Sequence, residues 1–313
     1  MNVLITGGTG FIASHVHRRL IEQGHQTVAF DSSPNTESLK IIAGQISVVQ
    51  GEVQDLAAVI DAIRTFSITH IIHMASLLTT TSQRRPYAAM NVNGLGTVNV
   101  LEASRLTGVV HVTFNSSTAV YGNTEEGKPI DEDHPLTPNT LYGATKLLGE
   151  HYGLAYNSDH GLGFTALRFP SIYGPGQTQR GFSSFKEIVE KPLLGLPAKV
   201  PVGGDQEFDI VYVKDVADAI IATLARETPH KIFNISGDLA AYGYLRDLAD
   251  AVRRNIPKAV IEIGPGFEPT EPVRGPLDIR RARNELHYEP KYDLERGVRD
   301  YIDTFNRARA SPS

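Results

Sequence analysis

Gly7-Gly8-Thr9-Gly10-Phe11-Ile12-Ala13 directly follows the short apolar run Val3-Leu4-Ile5 and opens a helical pattern over residues 11–23. Its spacing fits G-x-G-x-x-G/A, with Gly8, Gly10 and Ala13 at the three fixed positions. In a strand–turn–helix unit, such glycines permit a tight turn and let the backbone approach a pyrophosphate, while the helix N-terminus offers free N–H groups to the phosphates. This stretch therefore predicts a dinucleotide-binding loop.

Outward from this loop, short β-rich runs alternate with helical patterns. Further strands are predicted over 27–30, 46–49, 70–74, 109–114 and 164–168, and helices over 55–65, 86–107 and 142–157. Such alternation is typical of an α/β protein, here a Rossmann fold with a doubly wound parallel sheet. We expect residues 1–169 to form this NAD-binding domain, with segments near 208–237 returning to it. Residues 170–313 are expected to form a smaller, interleaved α/β substrate-binding cap.

Composition narrows the possible partners. The 313 residues carry a net charge of −5, and Lys and Arg form no cluster suited to a phosphate backbone, so nucleic acid is not an expected partner. No apolar run approaches the roughly 20 residues that a membrane-spanning helix requires. Cysteine is absent, which excludes thiol chemistry, and the 11 histidines have no metal-ligand spacing. We therefore expect a cytoplasmic protein with a small-molecule substrate and no metal.

The second predicted strand ends at Asp31. A carboxylate at this position accepts hydrogen bonds from a ribose 2′-hydroxyl and repels a 2′-phosphate. The next residues, Ser32-Ser33-Pro34-Asn35, contain no Arg or Lys that would attract that phosphate. Asp31 therefore favours NAD over NADP as the cofactor.

Tyr142 and Lys146 are four residues apart in a predicted helix and share one face. A tyrosine that acts as a base near neutral pH needs its pKa lowered by roughly 3 units, or about 4 kcal/mol. A lysine ammonium at about 4 Å supplies that much at an effective dielectric constant near 20. The pair therefore predicts acid–base chemistry beside the cofactor. Hydroxyls in Asn115–Gly122, after the fifth strand, are placed to bind a substrate oxygen.

With these motifs the chain resembles the extended short-chain dehydrogenase/reductases, the NAD-dependent epimerase/dehydratase group. The resemblance extends from the N-terminus to about residue 302. Besides the glycine loop and the Tyr142/Lys146 pair, it rests on Gly51-Glu52-Val53, His73-Met74-Ala75, Asn93-Gly94-Leu95-Gly96-Thr97, Ser116-Ser117-Thr118, Arg168-Phe169-Pro170 and Val211–Ala217.

The resemblance implies a role for each matching residue. Tyr142 matches the acid/base, Lys146 the ribose-binding partner, and Thr118 the hydroxyl that orients the substrate oxygen. The implied cofactor contacts are Gly7, Gly10, Phe11, Ile12, Asp31, Ser32, Glu52, Val53, Met74, Ala75, Ser76, Asn93, Tyr142, Lys146 and Phe169. The candidate substrate contacts are Leu78, Thr79, Ser117, Thr118, Ser171 and Arg180. A homodimer through the helices at 86–107 and 142–157 is also implied.

Three departures from the family pattern affect the expected chemistry. Thr118 and Ala119 replace the Asp-Glu pair of the 4,6-dehydratases, so dehydration is not expected. Phe208 replaces the arginine with which nucleotide-sugar enzymes hold the diphosphate, and Ser171 replaces an asparagine. These changes favour a smaller substrate. Arg180 and Arg274 are each able to hold a carboxylate, although a solvated surface is the commoner place for an arginine.

The leading hypothesis from the sequence is an NAD-dependent dehydrogenase acting on a secondary alcohol of a small polar compound, such as a sugar, sugar acid, hydroxy acid or amino alcohol. The alternative is a sugar or nucleotide-sugar epimerase that retains its NAD. A third possibility is a non-catalytic NAD(H)-sensing protein. Such relatives typically lose the tyrosine or the lysine, and Tyr142 and Lys146 are both present.

Overall fold

The computed structural model describes residues 1–177, 184–225, 227–237, 242–269 and 271–310. Its strands are β1 (Asn2–Thr6), β2 (Gln26–Asp31), β3 (Ser47–Gln50), β4 (His70–His73), β5 (His111–Ser117), β6 (Gly163–Phe169), β7 (Ser171–Tyr173), β8 (Ala198–Val200), β9 (Glu207–Tyr212), β10 (Ile232–Asn234), β11 (Tyr242–Tyr244) and β12 (Ile261–Ile263). Its helices are α1 (Phe11–Glu22), α2 (Leu56–Thr65), α3 (Thr79–Arg84), α4 (Pro86–Ala89), α5 (Gly96–Thr107), α6 (Leu141–His160), α7 (Ser184–Leu193), α8 (Val213–Ala222), α9 (Leu245–Asn255), α10 (Arg280–Leu286) and α11 (Leu294–Ala310).

Seven strands form the main sheet in the order β10-β6-β5-β4-β1-β2-β3, and every neighbouring pair is parallel. This confirms the predicted doubly wound Rossmann fold. The strand order reverses between β1 and β4. In open α/β sheets, ligands bind beyond the carboxyl ends of the strands at this switch point. The glycine loop after β1 lies there.

Both faces of the main sheet are covered by helices. One buried cluster contains α1 and α8 side chains such as Val16 and Ile220, and the other contains α2 and α5 side chains such as Val59 and Val100. The strands are therefore apolar on both faces, as a covered parallel sheet requires. None of the helices in the described ranges is long and apolar enough to span a bilayer.

The second half of the chain adds two small sheets. One has the order β11-β9-β7, and β8 pairs with β12 in the other. A third apolar cluster, with Phe185, Phe208 and Leu248 at its centre, joins them to α7, α9 and α11. Within the segment 208–237, β10 pairs with β6 in the main sheet, whereas β9 pairs with β7 and β11. The boundary between domain and cap stays a prediction.

A π-helical turn, Met90–Leu95, interrupts the helix predicted over 86–107. Such single turns often occur at functional sites. Close packing follows directly after it, because a Cβ on Gly96 would lie 2.5 Å from Val53 Cγ2. The turn presents Asn93 toward the loop that follows β4.

Candidate active site

The glycine loop has the geometry of a phosphate cradle. Gly7 has a φ of +66°, a conformation that side chains disfavour, and a Cβ on Gly8 would lie 2.5 Å from the Ile5 carbonyl oxygen. Gly10 caps α1 without a side-chain hydrogen bond, so the first-turn N–H groups remain available to an anion. Phe11 and Ile12 begin the helix. These residues fit the pyrophosphate of a dinucleotide.

Asp31 lies beside this loop. Its carboxylate accepts hydrogen bonds from the Thr9 N–H at 3.1 Å, the Thr9 hydroxyl at 2.8 Å and the Ser33 N–H at 3.1 Å. A carboxylate has about four acceptor positions, so capacity remains for a ribose hydroxyl. The adjacent Ser32 carbonyl accepts a bond from the Gln50 side chain at 3.3 Å.

The end of β4 is tied to β1 through Thr6. Its hydroxyl accepts the N–H groups of Met74 and Ala75, each at 3.2 Å, and bonds His73 Nδ1 at 2.7 Å. The other ring nitrogen of His73 bonds Thr97 Oγ1 at 3.0 Å, and burial lowers the histidine pKa to about 3. His73 is therefore a neutral structural residue, which holds the Met74–Ser76 segment at the switch point.

Glu52 and Val53, the expected adenine contacts, lie beyond β3. Glu52 is exposed, whereas Val53 is buried against α5 and its carbonyl accepts a hydrogen bond from Asn99 at 3.1 Å. Phe169 ends β6 with its side chain in the apolar core. Any cofactor contact of Phe169 therefore falls to its backbone.

Asn93 braces the loop after β4. Its Oδ1 accepts the Leu77 N–H at 2.7 Å, and its Nδ2 donates to the Leu77 carbonyl at 3.0 Å and to Thr145 Oγ1 at 3.1 Å. Since Thr145 precedes Lys146 on α6, one amide links the loop to the helix that carries the Tyr-Lys pair. The Leu78 and Thr79 positions follow this loop at the start of α3.

We expect Asn93→Ala to destabilise the fold by about 1–3 kcal/mol, because it leaves the Leu77 N–H without its partner and removes the buried hydrogen bond to Thr145. Urea unfolding measures the loss. Asn91→Ala is the matched control, since Asn91 lies in the same π-helical turn and makes no side-chain hydrogen bond within the described residues. Equal stability of the two variants would show that the amide does not brace the loop.

Tyr142 and Lys146 share one face of α6 at the carboxyl end of β5. The Tyr142 hydroxyl lies near Ser117, the last residue of β5, and the Ser117 side chain favours a lower pKa of the phenol. The Lys146 Nζ lies 5.5 Å from the centroid of the Tyr142 ring and donates to the Asn115 carbonyl at 2.6 Å. The helix and the strand thus bring an ammonium and two hydroxyls together.

The pKa of Tyr142 differs from the sequence-based expectation. Burial raises it to about 12, and the nearby Ser117 side chain opposes that rise in part. Lys146 does not lower it, and its Nζ donates instead to the Asn115 carbonyl. Burial lowers the pKa of Lys146 itself to about 7. The protein residues alone therefore keep the phenol protonated at neutral pH.

The neighbouring hydroxyls of Ser117 and Thr118 have different surroundings. The buried Thr118 hydroxyl accepts a hydrogen bond from Arg274 Nη1 at 3.2 Å, whereas Ser117 lies near the Tyr142 hydroxyl. Ser117 is the last residue of β5, and Thr118 begins a short 3₁₀ turn. The assignment of Thr118 to the substrate oxygen stays a prediction.

The sequence favoured a surface location for Arg274, and the structure places it in a cleft. It lies in the cleft between the two halves of the chain, which is lined by Thr118, Pro170, Ser171, Glu207, Phe208, Asp209, Glu271, Pro272, Arg274 and Gly275. The predicted substrate contact Ser171 is in this lining. Arg180, the other arginine considered, lies outside the described residues.

Residues 3–236 match the profile of the NAD dependent epimerase/dehydratase family. UDP-glucose 4-epimerase of Mycolicibacterium smegmatis is 31% identical over 315 residues, covering 97% of this chain and 98% of the relative. UDP-glucuronate 4-epimerase 1 of Arabidopsis thaliana is 28% identical, covering 96% and 76%. A crystal structure of Thermus thermophilus UDP-glucose 4-epimerase with NAD has a TM-score of 0.87 at 29% identity and covers 100% of both chains.

The chain belongs to the NAD-dependent epimerase/dehydratase family. This confirms the resemblance found in the sequence, the enzyme class and NAD as the cofactor. The geometry of the Gly7–Ala13 loop, which fits a pyrophosphate, agrees with that cofactor.

Proposed function

We propose that this protein is an NAD-dependent sugar epimerase, which oxidises a secondary hydroxyl and returns the hydride to the opposite face of the resulting ketone. The observation that carries the chemistry is the position of Tyr142 at the carboxyl end of β5, near Ser117 and with Lys146 Nζ 5.5 Å from the centroid of its ring. The epimerase outcome is supported by relatives that bear 4-epimerase names over nearly the whole chain. This proposal favours the alternative, and not the leading hypothesis, of the sequence analysis.

In this mechanism the chain's own residues bind, orient and move a proton. NAD, when bound, supplies the site that takes up and returns the hydride. The Gly7–Ala13 loop would hold its pyrophosphate and Asp31 its adenosine ribose. Ser117 would hold the substrate oxygen, and the Tyr142 phenol would exchange the hydroxyl proton. The cationic nicotinamide ring would supply a positive charge that lowers the phenol's pKa from about 12, and Lys146 would bind the cofactor's ribose.

The test is a pair of measurements on the NAD-loaded protein. UDP-glucose and UDP-glucuronate are supplied separately, the configuration of the sugar is followed by NMR, and absorbance at 340 nm is followed in parallel. An epimerase changes the configuration with no net NADH. Stoichiometric NADH with an unchanged sugar configuration would contradict the proposal.

A net dehydrogenase of a small polar alcohol is the second candidate, and Phe208 favours it. Its ring is buried in the cap and meets Phe185 edge-on at 5.9 Å, so this position offers no cation to a diphosphate. A screen of sugar acids, polyols and hydroxy acids for NADH formation tests it. NADH released in proportion to substrate consumed would support the dehydrogenase over the epimerase.

Asp31→Asn is expected to weaken NAD binding roughly 10- to 100-fold, since a hydrogen bond to a charged group contributes about 1.5–3 kcal/mol. Binding of NADP should improve relative to NAD, because the repulsion of the 2′-phosphate is lost. Calorimetric titration with both cofactors measures this ratio. Asp61→Asn, at an exposed carboxylate on α2, is the control. An unchanged NADP/NAD ratio would mean that Asp31 does not select the cofactor.

We also propose a homodimer through the helices around α5 and α6. Their surface exposes several large apolar side chains, among them Tyr87, Met90, Leu95 and Leu154. Contiguous exposed apolar patches commonly mark protein interfaces. Light scattering on the purified protein tests the oligomeric state, and a monomer at micromolar concentration would contradict the interface.

A further inference from the structure

Backbone hydrogen bonds join the segment around Arg274 to residues 124–130, which come about 150 positions earlier in the chain. The Thr124 N–H donates to the Val273 carbonyl at 3.0 Å, and the Ile130 N–H donates to the Pro276 carbonyl at 2.8 Å. Gly275 fits closely between them, because a Cβ there would meet the Lys128 carbonyl. This packing fixes the backbone on both sides of Arg274 and directs the side chain toward β5.

The guanidinium is oriented by neutral oxygens. Its Nε donates to the Gly122 carbonyl at 3.0 Å, and its Nη1 donates to Thr118 Oγ1 at 3.2 Å. Across the described residues, Nη2 has no hydrogen-bond partner and Arg274 forms no ion pair. By contrast, the fully buried Arg168 is paired with Glu150 at 2.7 Å. Arg274 is thus a half-buried cation without an anion in contact.

The partial burial of Arg274 affects the pKa of its guanidinium group. Burial lowers the pKa of Arg274, and the nearby carboxyl groups of Glu271 and Asp209 only partly offset that effect. The Asp209 oxygens are already bonded to the Ser236 hydroxyl and, at 2.9 Å, to the Leu277 N–H. Burial raises the pKa of Glu271 to about 7. A cation that is partly removed from water and has no anion in contact is stabilised when an anionic ligand binds beside it.

We propose that Arg274 and Thr118 form a subsite for a carboxylate of the substrate, next to the reacting hydroxyl. The subsite rests on the proposed function for its position, since Thr118 directly follows Ser117, which lies near the Tyr142 hydroxyl. The Arg274 Nη2 donates to one carboxylate oxygen, and the Thr118 hydroxyl, which already accepts from Nη1, donates to the same group. An arginine fork matches the planar carboxylate geometry.

The charge of the lining argues for a monoanion. Glu207, Asp209 and Glu271 line the same cleft, so a single carboxylate meets less repulsion there than a more highly charged diphosphate. Two sources of this carboxylate are chemically equivalent at the subsite: a free sugar acid, and the uronate group of a nucleotide sugar.

The experiment measures binding, so that it does not depend on the reaction outcome. NAD-saturated Tyr142→Phe protein is titrated calorimetrically with UDP-glucuronate and UDP-glucose, and with D-glucuronate and D-glucose. We expect the acid to bind at least tenfold more tightly than its neutral counterpart in one pair. Preference in the free pair identifies a sugar acid, and preference confined to the UDP pair identifies a nucleotide uronate.

Arg274→Gln, made in the same background, should bring the acid-to-neutral affinity ratio close to one. Arg296→Gln is the matched control, because Arg296 is 71% exposed and far along the chain on α11. Equal binding of acid and neutral sugar in both pairs, failure of both acids to bind, or an unchanged ratio in Arg274→Gln would overturn the subsite. If one of these outcomes is found but the unmodified protein still epimerises neutral UDP-glucose, the subsite is wrong and the proposed epimerase function stands.

Discussion

Tyr142→Phe is expected to lower kcat roughly 10²- to 10⁴-fold, the usual contribution of a positioned acid–base group. The phenol lies near Ser117 and Lys146 at the carboxyl end of β5, and phenylalanine keeps the ring while removing the hydroxyl that exchanges the proton. NAD affinity should change by only a few fold, because the glycine loop and Asp31 are untouched. Turnover under saturating substrate and calorimetric NAD binding measure the two effects separately.

Tyr152→Phe is the matched control for this prediction. Tyr152 lies on the same helix, is 42% exposed and makes no hydrogen bond within the described residues. Its kcat should equal that of the unmodified protein. If Tyr142→Phe kept more than a tenth of kcat, another group would have to move the proton. If the Tyr142→Phe variant had no turnover but still replaced the unmodified protein in the cell, the protein would act as an NAD-binding regulator.

The second large effect is expected at Arg168→Met, which should destabilise the fold by about 3–5 kcal/mol. Arg168 makes two bonds to the Glu150 carboxylate, at 2.9 and 2.7 Å, and a third to the Tyr121 hydroxyl at 2.8 Å. Ser116 also donates to Glu150, at 2.5 Å. Removing the cation leaves a buried carboxylate with too few partners, and chemical denaturation measures the cost.

A double variant separates the lost ion pair from lost packing. Arg168→Met with Glu150→Gln removes both charges, so it should recover part of the stability lost in the single variant. Arg105→Met is the surface control, because its pair with Glu102 is solvent-accessible and such pairs contribute about 0–1 kcal/mol. A loss at Arg168 no larger than at Arg105 would contradict the role of the buried pair.

The architecture was predictable because its determinants are local and repeated. Apolar runs at β1, β2 and β4 alternate with helical patterns, and the glycine loop identifies the first turn. The end of β5 was less predictable, since Asn115-Ser116-Ser117 is polar and was expected to follow the strand. It belongs to the ladder because pairing with β6 continues to Ser117 opposite Phe169.

The substrate side of the site was harder to predict, for reasons that are also physical. Three consecutive hydroxyls, Ser116, Ser117 and Thr118, are chemically alike, and only the register decides which one meets Tyr142. Arg274 depends on contacts with residues about 150 positions earlier, to Gly122 and Thr118. A local pattern carries no record of such contacts, so a surface location was the reasonable expectation.

The position of β10 has a consequence for engineering specificity. This strand comes late in the chain, after β7, β8 and β9 of the two small sheets, yet its residues Ile232–Asn234 pair with β6 and complete one edge of the main sheet. A chimera joined once, after Phe169, would therefore combine the edge strand of one parent with the other six strands of the second parent. Exchange of the predicted cap between relatives therefore requires at least two junctions, one before β10 and one after it, if the main sheet is to come from one parent.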